Sequence, residues 1–558
     1  MKGLLLNSLD QKDEAYKLAK DGLKRDLKSH VCWHVLGLLY RSDRNYVEAT
    51  KCYKSALRMD PGNPQIMRDL SLLQLHERDL AGYTETRRQL LAAKPGVKQN
   101  WLAFVVAEHI RGAPESALEV LNKMEEAFFD QEEALGRVET SELLLYKASI
   151  CVEAKKFDKA IEILNSKEIV DSVGKNELLV YIFYQLGEAN TCKKIIGNLL
   201  NANSAHEGYL IILLACCRLI DPMPSHEVVR QHLRLGDSGF VLSSVWDSYD
   251  DAQLKNLTNP KSNMGASDLI AELMKVKEEY IGAQVKSAQF DLLVLSLLPG
   301  DSVEFKTHLE KFLVHLLNKG VPSSFKMIRR LCESDATKNT VVKNLLEGFT
   351  KESSDNYSPV MKTFALMSLA AFHDFSKQYQ TALALVEEAI VITPTLIDLY
   401  VLKAKILKHS GDSTGSSDTW EFARKLDLAD RFLNSKSVKA LLRVGQIDKA
   451  KETIMLFAKD SEDQTKSNLN EMQCMWWEYE LGKALAANGD IEGAKSTWKT
   501  TLKHYEDMAE DEFDFALYCL RKMTLRAYID FLRFGQRLKS HKFYKRTLEA
   551  LAGLEIKE

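Results

Sequence analysis

The sequence predicts an all-α fold, a solenoid of stacked helix hairpins, and three observations carry that reading. Turn formers are sparse: 27 Gly and 11 Pro in 558 residues, about 7% of the chain against roughly 12% in an average protein. The chain is rich in both apolar (45%) and charged (27%) side chains, so it can bury a core and is not disordered. Small residues and prolines recur 34 residues apart: Gly3 and Gly37, Ala15 and Ala49, Gly22 and Ala56, Pro61 and Pro95. A fixed period of that length marks an array in which each helix pair buries its apolar face on its neighbours. A collagen-like, β-sandwich or low-complexity chain is excluded.

The clearest copy runs from His30 to Asn63, with Trp33, Leu36, Gly37, Tyr40, Ala49, Tyr53, Ala56 and Pro61 at repeat positions 4, 7, 8, 11, 20, 24, 27 and 32. This resembles the tetratricopeptide signature at each marked position. The small residue at position 8 is expected to let the small residue at 20 approach, while large residues at 4, 7, 11 and 24 fill the space beside the crossing. Proline at 32 ends the second helix. Further copies begin at Thr363 (Leu366, Leu369, Ala370, Ala382, Val386, Ala389, Pro394), Ile397 (Tyr400, Ala404, Leu407, Trp420, Ala423) and Arg431 (Val438, Leu441, Ala450, Ile454). Another lies near Met475 (Leu481, Gly482, Leu485, Ala494, Trp498).

Between these blocks the register loosens. Ala148 and Ala160 keep the spacing of positions 8 and 20, and Leu186-Gly187 reads as a hairpin turn. From Pro222 to about Tyr357 helical patterns lack the repeat; Asn259 to Asn263 and Lys351 to Ser358 read as loops. Glu512 to Lys539 reads as long amphipathic helix. The expected organisation is an N-terminal array over 1–170 with an incomplete first repeat and an irregular middle over 171–355. A C-terminal array over 356–505 and long capping helices over 506–558 follow. Because Met1 falls at position 6 of its repeat, additional upstream sequence or another covering element is expected.

The formal charge of −3 gives no global reason to bind nucleic acid or an anionic membrane. No sequence-specific nucleic-acid contact is expected. Nine cysteines include no CxxC pair, which reads as reduced, buried thiols of a cytosolic or nuclear protein. The longest apolar run, Tyr209 to Cys217, is shorter than the roughly 20 residues that span a bilayer. The N-terminal apolar stretch is too short for a signal peptide.

A search for catalytic chemistry returns none. There is no GxG, no Walker loop and no acyl-coenzyme A loop of the acetyltransferase kind. His30 and His34 share a helix face, but no HExxH and no third ligand accompany them. Cys216-Cys217 reads as packing thiols, and Glu125-Glu126 and Glu132-Glu133 as solvated helix faces. The carboxylate clamp of co-chaperones needs Lys and Asn where this chain has His34 and Leu38. What remains is a surface. First-helix positions 2, 5, 9 and 12 line the inner face of such a stack: Asp398, Val401, Lys405 and Lys408; Phe432, Ser435, Lys439 and Leu442; Trp476, Tyr479, Lys483 and Ala486. Lys405, Lys408, Lys439 and Lys483 among aromatic rings, with His409, Arg424, Lys425, Arg431 and Lys436 nearby, suit an anionic ligand or an acidic partner helix. Ordinary solvated helix charge accounts for the same residues.

Several segments go beyond a generic repeat. Asn468-Leu469-Asn470-Glu471-Met472-Gln473-Cys474-Met475-Trp476 resembles a signature of the auxiliary subunit of the N-terminal acetyltransferase A complex. Thr393 to Asp398, Lys403-Ala404-Lys405, Ala429 to Phe432, Asn434-Ser435-Lys436, Asp514-Phe515, Cys519 to Lys522, Thr524-Leu525-Arg526, Met1 to Leu4, Trp33 to Leu38 and Lys319-Gly320-Val321-Pro322 are similar to that family too. The resemblance covers nearly the whole chain, least between about 220 and 310. It implies a non-catalytic scaffold that wraps a catalytic GNAT-fold acetyltransferase subunit, holds it in its productive conformation, and anchors it at the ribosomal exit tunnel in the cytoplasm, with the nucleus as a second location. The partner would use acetyl-coenzyme A to acetylate nascent chains after removal of the initiator Met. The family also binds inositol hexakisphosphate, and Lys408, His409, Lys436 and Lys439 match its basic positions. This chain departs at Asp418, where relatives tend to have Arg, and at Ala440, where they tend to have Tyr. It ends at Glu558 without the family's lysine-rich tail, which weakens the case for the ribosome as a second partner of it. The alternative is a general tetratricopeptide adaptor in another assembly, such as RNA processing or chaperone recruitment.

Overall fold

The computed structural model describes residues 2–128, 136–221, 223–233, 235, 259–260, 264–282, 285–351, 358–458 and 468–556. Helices His30–Ser42, Tyr46–Met59, Pro64–His76, Leu80–Ala93, Lys98–Ile110 and Pro114–Ala127 alternate as first and second helices of successive hairpins. Their starts are set locally. Ser29 Oγ accepts from the Cys32 N–H, Asn45 Oδ1 from Glu48, Asn63 Oδ1 from Ile66 and Asp79 Oδ1 from Gly82, so polar caps at the repeat spacing satisfy orphan amides at the helix starts. Their ends are set by a left-handed residue in the hairpin turn. Asp10, Arg44, Arg78 and Gly112 hold φ of 61°, 59°, 60° and 86°, and Lys377, Gly411 and Gly445 repeat the geometry later at 59°, 95° and 78°. The same period therefore appears in the backbone even where the turn residue is not glycine.

The hairpin crossing is packed differently from the sequence expectation. Ala49 is fully buried, but a Cβ on Gly37 would lie 2.4 Å from Tyr53 Cε1, and one on Gly482 would lie 2.2 Å from Trp498 Nε1. The small residue at position 8 thus makes room for the aromatic ring at position 24, because a flat ring laid across the facing helix needs the Cβ space more than an alanine does. Position 4 also does something other than fill space. The Trp33 indole N–H donates to Leu27 O at 2.9 Å, Trp101 to Pro95 O at 2.7 Å, and the Tyr400 hydroxyl to Pro394 O at 2.8 Å. Each closes the turn that enters its own repeat.

The chain divides into two compact units. The first comprises Met1–Leu186 with Glu506–Leu538, and the second is built mainly from Gly187–Leu233, Leu242–Tyr505 and Lys539–Glu558. In the first, the amphipathic stretch from Glu512 is divided between two helices. Helix Ile491–Lys522, whose residues from Glu506 onward belong here, stops before Met523, which takes φ 56°, and helix Leu525–Arg537 follows. The break lets both segments lay basic and acidic side chains against the N-terminal repeats. Arg44 pairs with Asp507 at 2.8 Å and Glu510 at 2.6 Å, Arg78 with Glu512 at 2.6 Å, Arg526 with Glu142 at 2.5 Å, and Arg533 with Glu153 at 3.0 Å. His34 pairs with Asp69 at 2.8 Å, and Glu125, its side chain partly exposed, accepts from Lys147 at 2.5 Å. Glu132 and Glu133 lie outside the described residues.

In the second unit, helices Ala189–Ala202, Glu207–Cys216, Ala266–Tyr280, Ala288–Leu297, Val303–Lys319, Ser324–Ser334 and Ala336–Lys351 precede the clean repeats. The apolar run read from Tyr209 forms a buried helix. Gly320, at φ 71°, ends Val303–Lys319, with the Val321 N–H returning to Leu316 O at 3.1 Å. Residues from two expected loops lie in regular structure. Asn259–Pro260 pairs antiparallel with Ile220–Asp221, because the residues after helix Glu207–Cys216 run extended and offer free backbone groups. Lys351 still belongs to its helix. Residues 261–263 and 352–357 lie outside the described set. Among the described residues no helix is long and apolar enough to cross a membrane, and no group of three or more His, Cys, Asp or Glu is placed to hold a metal.

Candidate partner-binding face

The basic residues singled out in the sequence sit on the first helices of consecutive repeats in the second unit: Ile397–Ser410, Arg431–Arg443 and Met475–Ala487. Buried polar bonds fix these helices. Ser416 donates to Ala404 O at 2.7 Å, tying helix Ser413–Leu426 to the first of them. Glu421, 8% exposed, accepts from Ser437 at 2.9 Å, and Asn434 Nδ2 donates to Thr453 O at 2.8 Å. Glu478, 1% exposed, accepts from Thr501 at 2.8 Å and pairs with His504 at 2.7 Å. Losing either partner of such a buried pair is costly, so the helices are held in register and their outward residues inherit fixed positions.

On that frame the lysines lean on aromatic rings. Lys436 Nζ lies 5.3 Å from the Phe432 ring centroid, Lys439 Nζ 4.3 Å from that of Trp476, and Lys483 Nζ 5.7 Å from that of Tyr479. These are cation–π distances. Among the described residues, Lys405, Lys408, Lys436, Lys439 and Lys483 form no ion pair with a carboxylate, while Arg443 takes Glu480 at 3.7 Å. Their charges act on one another. Desolvation first, then Lys436 and Lys326, push Lys405 below the ordinary lysine value against Asp398 and Asp374. Desolvation, Arg443 and Lys408 lower Lys436. Desolvation and Lys436 lower Lys439, with Glu480 opposing and Arg443 adding. After burial, neighbouring positive charge is the cause that lowers each of these three lysines, the electrostatic sign of a concentrated positive face.

The structure brings Lys405, Lys408, Lys436 and Lys439 into one interacting set and places Lys483 on the next helix beside it. It treats the remaining basic residues differently. His409 is engaged by Asp374, with Nδ1 at 2.9 Å from the carboxylate. Arg424 and Lys425 do not add to the face; both turn to Glu421, at 2.6 and 3.8 Å, because they follow it by three and four residues on one helix. Arg431 lies over the Phe457 ring at 5.7 Å. Sequence reasoning missed Lys326 and Arg443. Arg443 stands one helical turn after Lys439 and was within reach of the period, whereas Lys326 sits on Ser324–Ser334, where no repeat register points to it. Asp418, one of the two departures from the family pattern, is exposed, and Ala440, the other, is buried.

Comparison with known proteins bears on this arrangement. A family model described as N-terminal acetyltransferase A, auxiliary subunit, matches residues 138–555. An N-terminal acetyltransferase A complex auxiliary subunit, NAA15, of Arabidopsis thaliana is 38% identical over 99% of this chain and 58% of its own length. The human N-alpha-acetyltransferase 16, NatA auxiliary subunit, is 32% identical over 100% of this chain and 60% of its own length. The chain thus spans less than two thirds of these relatives. Among solved structures, that of Naa15/Naa10 bound to HypK-THB superposes with a TM-score of 0.83 at 32% identity, covering 98% of this chain and 76% of that one. With a model matched over most of its length and relatives above 30% identity along all of it, this chain belongs to the family of N-terminal acetyltransferase A auxiliary subunits.

Proposed function

We propose that this chain is the non-catalytic scaffold of a co-translational N-terminal acetyltransferase. It binds a catalytic GNAT-fold subunit and favours that subunit's productive conformation, while acetyl-coenzyme A is used by the partner alone. Selection of one conformation requires differential affinity for it, and a large, rigid, repeat-built surface supplies that without chemistry of its own. The observation that carries the reading is the face of Lys405, Lys408, Lys436, Lys439 and Lys483, which form no ion pair with a carboxylate among the described residues, and in which Lys405, Lys436 and Lys439 are lowered by burial and by neighbouring positive charge. It is completed by an anion from outside. Inositol hexakisphosphate held between the scaffold and the catalytic subunit fits this demand, with Lys408 and Lys439 as principal contacts and Lys436 and His409 beside them. The cytoplasm is the compartment in which this activity would be exercised.

Co-purification from native lysate tests the scaffold role: recovery of an acetyltransferase-fold partner supports it, and recovery of an RNA-processing or chaperone assembly in its place supports the adaptor reading. The isolated chain should not acetylate Ser- or Ala-starting peptides. Lys408→Glu with Lys439→Glu should weaken both partner and inositol hexakisphosphate binding by tenfold or more, roughly the scale of one to two charge-assisted contacts. Unchanged affinity for both ligands would remove the assignment of this face.

A further inference from the structure

A second site lies in the other unit and does not rest on the reading above. A cavity of about 320 Å³ is lined by Gln65, Arg68, Asp69, Leu72, Arg87 and Leu517, at the lower end of the range for ligand pockets. Its floor carries an unusual group. Arg87 is 3% exposed, yet among the described residues its Nε–H has no hydrogen-bond acceptor, and a buried guanidinium is normally paired. Its Cζ lies 5.3 Å from the Tyr83 ring centroid, so the ring orients the group while the Nε–H stays unused. Two further buried donors, the Tyr83 and Tyr528 hydroxyls, also lack partners.

The charges around the cavity define what would complete it. Arg68 and Arg87 carry two positive charges, and Asp69, already engaged by His34, returns one negative. The balance suits a single negative charge, a carboxylate, rather than a doubly charged phosphate that Asp69 would repel. Leu72 and Leu517 line the remainder, and Leu517 is 55% exposed beside Phe515 and Tyr518, at 45% and 49%. An aliphatic stem beside the acid therefore has apolar surface to cover.

We propose that this cavity receives the acidic side chain of a peptide segment, a glutamate flanked by apolar residues, with its carboxylate on the Arg87 edge and the flanking residues on Leu72 and Leu517. A planar carboxylate matches the guanidinium fork, and the Tyr83 ring orients that fork.

The test uses the 558-residue chain labelled with ¹⁵N-arginine, with Arg87→Lys identifying the Arg87 Nε–H resonance. The probes are the peptides acetyl-Leu-Glu-Leu-amide and acetyl-Leu-Gln-Leu-amide, the free acid isocaproate, and inorganic phosphate. The Glu peptide should shift the Arg87 resonance saturably and bind about tenfold or more tightly than the Gln peptide, the scale of one charge-assisted hydrogen bond, and more tightly than isocaproate. Leu517→Glu, at an exposed position that folding tolerates, should abolish the shift by supplying a competing internal carboxylate. The proposal is overturned by any of four results: no saturable shift with the Glu peptide, equal binding of the Gln peptide, binding of isocaproate or phosphate as tight as the Glu peptide, or undiminished binding in Leu517→Glu.

Discussion

The two units use their basic residues in opposite ways. In the first, Arg44, Arg78, Arg526 and Arg533 each meet a carboxylate supplied from elsewhere in the same unit, and Gly535 leaves space for one of these pairs, since a Cβ there would lie 2.6 Å from Arg78 Nη2. In the second, Lys405, Lys408, Lys436 and Lys439 meet rings and one another. These four arginines close the first unit's own structure, unlike Arg87 of the same unit. The lysines of the second unit's face stay without carboxylate partners among the described residues, although Arg424, Lys425 and Arg443 near them are paired, and that is the arrangement a surface needs if an external anion is to complete it.

The sharpest way to break this contrast is at the Arg533 junction. Arg533 and His109 both reach Glu153, each at 3.0 Å, with His109 almost fully buried and its Nδ1 bonded to the Tyr146 hydroxyl at 3.1 Å. Arg533→Met should destabilise the first unit by about 3 kcal/mol, because removing one member of a mostly buried network strands the others; chemical denaturation reads this, and a change below about 0.5 kcal/mol would place the network among ordinary surface pairs. The same junction gives a pH signature. Burial pushes Glu153 up, but hydrogen bonds and charge from His109 and Arg533 outweigh it and bring it down to about 2. A carboxylate lowered on folding contributes stability that is present above its unfolded value and is lost as pH falls towards the folded one. The loss should therefore run from about pH 4.5 to about pH 2, and Glu153→Gln should flatten it.

For the second unit the complementary expectation concerns added anion. Excess inositol hexakisphosphate should raise the unfolding free energy, by about 2.7 kcal/mol at a hundredfold excess over its dissociation constant, and Lys408→Glu with Lys439→Glu should remove the gain. Arg44→Gln in the first unit should leave the gain intact, and equal loss in both variants would show non-specific screening. Lys338 offers a smaller alkaline effect. It is 5% exposed, donates to Leu295 O and Ser296 O at 3.0 and 2.8 Å, and burial lowers it to about 8 with Asp335 opposing. A lysine lowered on folding penalises the folded state while it must stay charged, so stability should rise as pH passes from about 8 towards 10.5, and Lys338→Met should abolish that rise. Smallest of all is the hairpin turn. Lys377→Gly, at φ 59°, should change stability by at most about 1 kcal/mol in the favourable direction, since relief of the left-handed strain is partly offset by glycine's chain entropy. Gly411→Ala, at φ 95°, should lose about as much.

The positions that were legible in the sequence are those whose structure is local. Buried alanines such as Ala15, Ala49 and Ala404 and the lysines on first helices follow from the repeat and the helical period. The departures have separate causes. Gly37 was read against Ala49, but it accommodates Tyr53, because which of two facing residues takes the space depends on how deeply the second helix crosses. Arg424 and Lys425 were read as part of the basic face, yet Glu421 lies within one turn on their own helix and takes both. The break at Met523 had no Gly or Pro to announce it.

By itself the sequence determined the helices, their pairing into hairpins, the family, and which face of each first helix carries lysine, since these depend on residues within one or two turns or one repeat of each other. Only the tertiary structure decided which charges are cancelled by partners far away in the chain. Arg44 and Asp507 are separated by 463 residues, and Arg526 and Glu142 by 384. No period links such partners, and the same arginine is a closing bond or an open site according to what the fold sets within a few ångströms of it.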